Sequence, residues 1–328
     1  MKRIAIIGSG ISAITLGKEL AKRAHVTLFE KSKGMGGRMS TRYADPFSFD
    51  HGTPFFKIES KEFYTYLKPY IDAGVLSEWQ GAKIQLEIGK EVIQPADKEP
   101  LWTPTPKMNS LCKAIGESLS IRISCEIAPL TPKTPLGWLL QNQKGEELGY
   151  FDWVISTAPP QQSKTLFHNI GEEENFLKSA AMSSCYTLMI GFKKEWDKQW
   201  ISAAVKKNLI NSIFVNSTKP GRDRNVTTFV AHSTTEWAEA NINEKIDEIQ
   251  EKMCTEFTLL TGIDTKNAEY IATHRWLYAK TKTPKKNGFY INGEIGLAAV
   301  GDWCAGENIE DGWKEALKLS SNILSFFE

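Results

Sequence analysis

Residues 3–7 (Arg-Ile-Ala-Ile-Ile) form a short β-branched run without alternation, the pattern of a strand covered on both faces. Gly8-Ser9-Gly10-Ile11-Ser12-Ala13 interrupts it, a helix is predicted from there to about Arg23, and 26–29 read as a second strand ending at Glu30. Further on, 137–143 and 150–156 read as two strands with a turn at Lys144-Gly145. The longest helical period lies at 243–260, where Ile246, Ile249, Met253 and Phe257 mark a core stripe. An apolar strand at 295–300 ends in Gly301-Asp302. A closing helix begins near Glu310, with Trp313, Leu317, Ser320 and Leu324 on one face. The Pro-rich stretches 94–106 and 129–135 read as connectors, and the acidic 171–175 as a loop.

The chain has 328 residues, the size of about two domains. With 41% hydrophobic and 24% charged residues it reads as a folded protein, and collagen-like, disordered and disulfide-scaffold classes are excluded. A net charge of +1 gives no footprint for nucleic acid or an anionic membrane, and no apolar run is long enough to span a bilayer. The five cysteines are scattered without a C-x-x-C pair, which fits a reducing, cytoplasmic setting and offers no metal site. Met1-Lys2-Arg3 before an apolar run imitates a signal peptide. The mid-run glycines and the missing cleavage site speak against one.

The N-terminal order of strand, glycine turn, helix, strand and acid is the dinucleotide fingerprint in context. Gly8 permits the tight turn, Gly10 lets a pyrophosphate approach the backbone, and Ala13 and Gly17 keep helix and strand close. The amides of Ile11, Ser12 and Ala13 open the helix, where free N–H groups and the dipole favour phosphate. Glu30 is placed to accept both hydroxyls of an adenosine ribose. The bland alternative is a plain glycine-rich βα turn. After Glu30 and Lys31-Ser32-Lys33 comes a second glycine cluster, Gly34-Met35-Gly36-Gly37-Arg38, which suits a second backbone passage along a cofactor longer than NAD. Arg38 and Arg42 are candidates to neutralise the pyrophosphate, or else part of a solvated basic loop. At the other end, Gly301 allows close approach and Asp302 can hold a hydroxyl of such a cofactor, unless it is an ordinary turn residue. The N–H groups of Glu310 and Asp311, just after Ile309, sit where a helix start stabilises negative charge on a bound group.

On these residues the chain resembles the FAD-dependent amine-oxidase clan, and within it the bacterial renalase-like oxidoreductases. The resemblance also runs through Phe49-Asp50-His51-Gly52, Pro106-Lys107-Met108-Asn109, Ala158-Pro159-Pro160-Gln161, His232-Ser233-Thr234, His274-Arg275-Trp276 and Gly301-Asp302-Trp303-Cys304. It implies an α/β fold in which a Rossmann-type FAD-binding domain (1–60, 100–165 and 270–328) is interleaved with a smaller α+β substrate domain (61–99 and 166–269). It implies non-covalent FAD held by Gly8, Ser9, Gly10, Ile11, Ser12, Ala13, Glu30, Lys31, Gly37, Arg38, Met39, Thr41, His51, Gly52, Ile127, Gly301, Asp302, Ile309, Glu310 and Asp311, with Cys304 a packed thiol. It also implies a substrate wall carrying His232 and Trp276, with Tyr186 and Asn216 on neighbouring strands. A structural histidine is the alternative for His232 and the preferred reading for His274, while His25 and His168 read as surface residues.

Two departures stand out: Thr53-Pro54-Phe55-Phe56 replaces the family's Ala-Gln-Tyr-Phe, and Lys107 stands where glycine is usual. Trp303 alone does not make the aromatic cage of an amine oxidase. The expectation is an FAD oxidase of a small-molecule hydride donor, foremost an off-pathway dihydro isomer of NAD(P), with dioxygen as acceptor and hydrogen peroxide as product. Oxidation of an amine or another small molecule is a second possibility. Non-catalytic FAD binding, as in a redox sensor, is a third. The sequence leaves the oligomeric state open.

Overall fold

A computed structural model describes residues 1–93, 99–168, 170, 173–178, 180–283 and 288–327. The chain divides into two compact units, Met1–Gly37 with Cys112–Met182 and Lys280–Glu328, and Arg38–Leu111 with Ser183–Ala279. The division read from the sequence differs in placing 38–60, 100–111 and 270–279 with the nucleotide-binding part and 166–182 with the substrate part. Side chains explain the difference for the first two stretches: Thr41, Asp50 and the Met108 amide all bond into one cluster with Lys219 and Arg222, described below.

The first unit is built on a six-stranded sheet in the order Tyr290–Asn292, Leu297–Ala299, Trp153–Ser156, Arg3–Ile7, His25–Phe29, Ser120–Arg122. Arg3–Ile7 pairs in parallel on both sides, and Ile4, Ala5 and Ile6 are wholly buried, as a run without alternation requires. The first helix spans Ile11–Leu20, three residues shorter than its pattern predicts. It lies close to the sheet at Gly17, where a Cβ would come within 3.0 Å of Leu28 and 2.9 Å of Leu119.

The predicted strand at 150–156 is in fact two. Glu147–Phe151 pairs antiparallel with Trp138–Gln141, whereas Trp153–Ser156 enters the main sheet beside Arg3–Ile7. Asp152 makes the break. Its carboxylate accepts the Arg3 amide at 2.7 Å and its own amide donates to the Arg3 carbonyl at 2.8 Å. Hydrophobic pattern alone cannot show a strand changing partners.

The closing helix, Ile309–Ser325, buries Gly312, Trp313, Ala316, Leu319, Ser320 and Ile323, so its stripe is rotated from the predicted one. Leu317 and Leu324 fall on the half-buried flank. Of the stretch expected as an acidic loop, 171 and 172 lie outside the described residues, and Glu173–Lys178 is a helix. Within the connector 94–106, residues 94–98 lie outside the described set, and Trp102–Pro104 pairs with Leu76–Glu78.

The second unit carries a seven-stranded sheet in the order Tyr270–Thr283, Ala181–Phe192, Thr227–Ser233, Ile210–Val215, Trp200–Val205, Ala82–Glu87, Lys90–Ile93. The helix Ile246–Thr261 packs on one face through Ile249, Met253, Phe257 and Leu260, which meet Leu188, Ile190, Phe229 and Ala231. Gly262, at φ +71°, ends that helix in the left-handed conformation. The opposite face presents Met189, Phe214 and Val230 to Phe47 and Phe49 of the hairpin Arg42–Ala44/Phe47–Phe49. That close packing needs Gly191, whose Cβ would sit 2.8 Å from the Phe47 ring. Among the described residues no helix is long and apolar enough to cross a membrane, and no group of three metal-ligating side chains occurs.

Candidate functional site

In the first unit two glycine turns lie backbone to backbone. Gly8, at φ +118°, donates to the Phe29 carbonyl at 2.8 Å, and a Cβ there would meet Thr157 Oγ1 at 2.3 Å. Gly36 donates to the Ser9 carbonyl at 3.0 Å, and a Cβ on Gly37, at φ +56°, would lie 3.4 Å from Gly10 Cα. Only glycine supplies these conformations without strain and keeps the surface low enough for a ligand to reach the backbone. Glu30 closes this end. Its carboxylate accepts from Ser9 Oγ at 2.7 Å and from the Ser32 amide at 2.8 Å, leaving each oxygen capacity for one further bond.

Two helix N-termini meet beside these turns. Ser12 Oγ donates to the Gly312 carbonyl at 2.9 Å, and a Cβ on Gly312 would come within 2.8 Å of that hydroxyl and 3.3 Å of Ile11. The opening amides of Ile11–Leu20 and Ile309–Ser325 have no carbonyl within their own helices, so two positive dipole ends converge. In a full capping box the Asp311 carboxylate accepts the Asn308 amide at 3.0 Å and the Asp311 amide donates to the Asn308 side chain, so of the two N–H groups expected to face a ligand here only that of Glu310 stays open. Glu310 is buried and ion-paired to Lys314 at 2.7 Å. Asp302 opens a short turn on which the buried Trp303 indole N–H finds no acceptor among the described residues. Cys304 is a buried free thiol. These features fit a long, doubly anionic nucleotide cofactor: a pyrophosphate at bare backbone, ribose hydroxyls at Glu30, and unmet donors at the second helix.

Other expected cofactor contacts are placed differently. Lys31 Nζ donates to Gln162 at 3.2 Å. Ile127 is buried and forms a β-bridge to Asn142. Arg38, Met39, Thr41, His51 and Gly52 fall in the second unit. There Arg38 donates to the Ala279 carbonyl at 3.1 Å, Met39 is buried, and Gly52 lies so close to the Arg38 carbonyl that a Cβ would be 2.0 Å away.

The second unit holds a buried charge cluster that the sequence did not disclose. Asp50 Oδ2 takes Lys219 Nζ at 3.0 Å and Arg222 Nη2 at 2.5 Å, and Oδ1 accepts from Thr41 at 2.8 Å and the Met108 amide at 3.0 Å. Burial opposes the Asp50 charge, but the two cations and these donors prevail and hold its pKa well below the carboxylate range. Burial pushes Lys219 down to about 8, with Asp50 resisting. Lys219 and Arg222 sit three residues apart, in the turn after Asn216–Thr218, with no periodic signal to mark them. Asn216 joins the same cluster: it accepts the Asp50 amide at 3.3 Å and donates to the Ser48 carbonyl at 3.0 Å. It anchors the end of the strand Phe47–Phe49.

On the sheet face opposite the long helix a wall of rings forms. Trp276 stacks on His51 at 5.2 Å and donates its indole N–H to the His51 carbonyl at 3.0 Å. His274 meets Trp276 edge-on at 4.5 Å and His51 at 5.0 Å. Burial, then His274 and Arg42, lower His51 to about 3; burial, then Arg42, lower His274 to about 4. Both imidazoles are neutral at pH 7. On the same face His232 pairs across strands with Thr187 and packs against Phe214 at 5.4 Å, and Phe214 contacts Phe55 at 5.9 Å.

The structure thus brings together His232, Trp276 and His274 on one face, and gives His274 a place the sequence reading withheld. Their positions were readable: 274 and 276 alternate onto one side of a strand. Tyr186 is not with them. It points to the helix side, wholly buried, and donates to the Asn241 carbonyl at 3.0 Å. His25 and His168 are exposed.

Residues 6–70 match the NAD(P)-binding Rossmann-like domain family. The same α/β architecture recurs in an assigned protoporphyrinogen oxidase from Exiguobacterium sp. 255-15, with a TM-score of 0.77, 12% identity and 98% of each chain covered. The cyclohexylamine oxidase of Brevibacterium oxydans IH-35A (TM-score 0.74, 11% identity, 99% of each chain) and a putrescine oxidase bound to putrescine (0.72, 10%, 99% of each chain) share it. The chain has the amine-oxidase fold. In sequence, it is similar to a 4,4'-diapophytoene desaturase of Staphylococcus haemolyticus, 44% identical over 50 residues. That stretch is 15% of this chain, and the chain spans about a tenth of the length of the curated relatives it matches, 10% in this case.

Proposed function

We propose that the protein is an FAD-dependent oxidase of a reduced nicotinamide, foremost a 2- or 6-dihydro isomer of NAD(P), with dioxygen as acceptor and hydrogen peroxide as product. The observation that carries the reading is the meeting of two glycine turns and two helix N-termini in one unit, with Glu30 at the end of the second strand. FAD bound there supplies the acceptance of a hydride and the passage of its two electrons to dioxygen. The chain's residues do the rest. The amides of residues 10–13 hold the pyrophosphate, Glu30 the ribose hydroxyls, and the amide of Glu310 faces negative charge at the second helix start, with Asp311 holding that start in its capping box. The rings of His51, Trp276, His274 and His232 orient a planar donor, and the neutral imidazoles offer acceptor nitrogens to a carboxamide. A donor that becomes an aromatic pyridinium has no proton to lose, which agrees with a wall that holds no carboxylate base among the described residues.

Oxidation of an amine is favoured by the fold shared with the cyclohexylamine and putrescine oxidases. The charge at the wall opposes it: the Arg42 guanidinium acts on both His51 and His274, an unfavourable setting for an ammonium. Mixing each dihydro isomer anaerobically with the yellow protein tests the choice. Loss of the yellow absorbance faster than with ordinary NADH is expected. Bleaching by amines alone, or by no donor, overturns the assignment.

A further inference from the structure

Arg42 was grouped by sequence with Arg38 as a pyrophosphate contact, yet the hairpin gives it other company. Arg42 pairs directly with Phe49, while Thr41 Oγ1 bonds Asp50 at 2.8 Å. Directly opposed residues of an antiparallel pair share a face, so Thr41 and Asp50 point to the buried cations and Arg42 points with Phe49. Phe49 stacks on Tyr270 at 5.2 Å, and Tyr270 lies two and three alternations along its strand from His274 and Trp276. Arg42 is half-buried, and its charge is felt by both His51 and His274. Among the described residues no carboxylate lies within ion-pair distance of its guanidinium. The nearby acid, Asp50, is on the other side and saturated by Lys219 and Arg222.

We infer that Arg42 is the anion-reading residue of the aromatic wall: it binds a carboxylate or phosphate on a planar ligand that stacks against His51, His274 and Trp276. A half-buried guanidinium beside neutral rings holds its planar donor fork where an anion loses little by leaving water. Arg42 therefore selects for anionic and against cationic ligands, and it belongs with the donor rather than with the FAD pyrophosphate. This inference rests on the reading that the wall receives the donor. Its test does not depend on turnover.

Calorimetric titration of the FAD-loaded protein with nicotinate and with nicotinamide compares one ring carrying a carboxylate with the same ring carrying a neutral amide. Nicotinate is expected to bind about ten- to a hundredfold more tightly, the range of one charge-assisted hydrogen-bonded pair. R42Q should bring the ratio to about one, and R42K should retain part of it, because an ammonium lacks the bidentate fork. A wild-type ratio near one, or a ratio unchanged in R42Q, overturns the inference. So does loss of bound FAD in R42Q with the ratio intact, which returns Arg42 to the pyrophosphate. Should R42Q not fold, R42K alone decides, since an unchanged ratio there excludes a bidentate contact. If no dihydronicotinamide bleaches the protein while nicotinate is still preferred, the donor assignment fails and Arg42 as an anion reader stands.

Discussion

Asp50 is a single carboxylate between two buried cations, Lys219 and Arg222. Removing its charge leaves both uncompensated in a buried site. Asp50→Asn is therefore expected to cost about 3–5 kcal/mol, read as a lower urea midpoint with an unchanged slope. The two histidines of the wall predict a pH dependence. Their native values of about 3 and about 4 lie below the ordinary 6.5. Below pH 6.5 the unfolded chain binds protons that the native state refuses, so their contribution to stability is full above that pH and is lost progressively down to about pH 3. The urea midpoint should fall between pH 7 and pH 5, and the His51→Gln/His274→Gln double variant should flatten the fall. At this scale the sequence was uneven as a guide. Glu30 was legible because its distance from Gly10 is a property of one βαβ unit. Lys219 and Arg222 were not, because their partner lies 169 and 172 positions away.

Between elements, the contact of the helices Ile11–Leu20 and Ile309–Ser325 at Ser12 and Gly312 matters most. Neither sequence segment announces the other. Each shows a glycine turn and a helix start, and only folding sets the two dipole ends side by side. Gly312→Val would drive two methyl groups toward Ser12 Oγ, which already lies 2.8 Å from a Cβ at that position. Purified Gly312→Val is expected to retain its helical circular dichroism and lose most of its FAD, measured as yellow absorbance per protein. Full FAD retention would mean that the two N-termini do not act together on the cofactor. The strand read at 150–156 teaches the same lesson. Its apolar pattern is real, but Asp152 divides it between a hairpin and the main sheet through paired bonds to Arg3.

For the whole molecule, both units are assembled from distant stretches of chain, the first from three and the second from two. A ligand that binds only the folded first unit must stabilise it by mass action, by about 2.7 kcal/mol at a hundredfold excess over Kd. Adding FAD to cofactor-stripped protein should raise the thermal midpoint accordingly, and NADH at the same concentration should raise it less. A shift no larger for FAD than for NADH would contradict a cradle built for the longer cofactor.

What the amino-acid order determined alone is what short-range physics encodes: the buried strand Arg3–Ile7, the glycine turn, the acid that follows, and the helical stripe of Ile249, Met253 and Phe257. These depend on periodicity and on conformations open only to glycine, and both are local. Tertiary structure decided which face each side chain meets. It sent Tyr186 to the helix side, gathered His51, His274 and Trp276 into one cluster, turned Arg42 away from Asp50, and joined two helix starts into one anion-binding cradle. Strand register and long-range pairing made those choices, and neither is written in any single stretch of the chain.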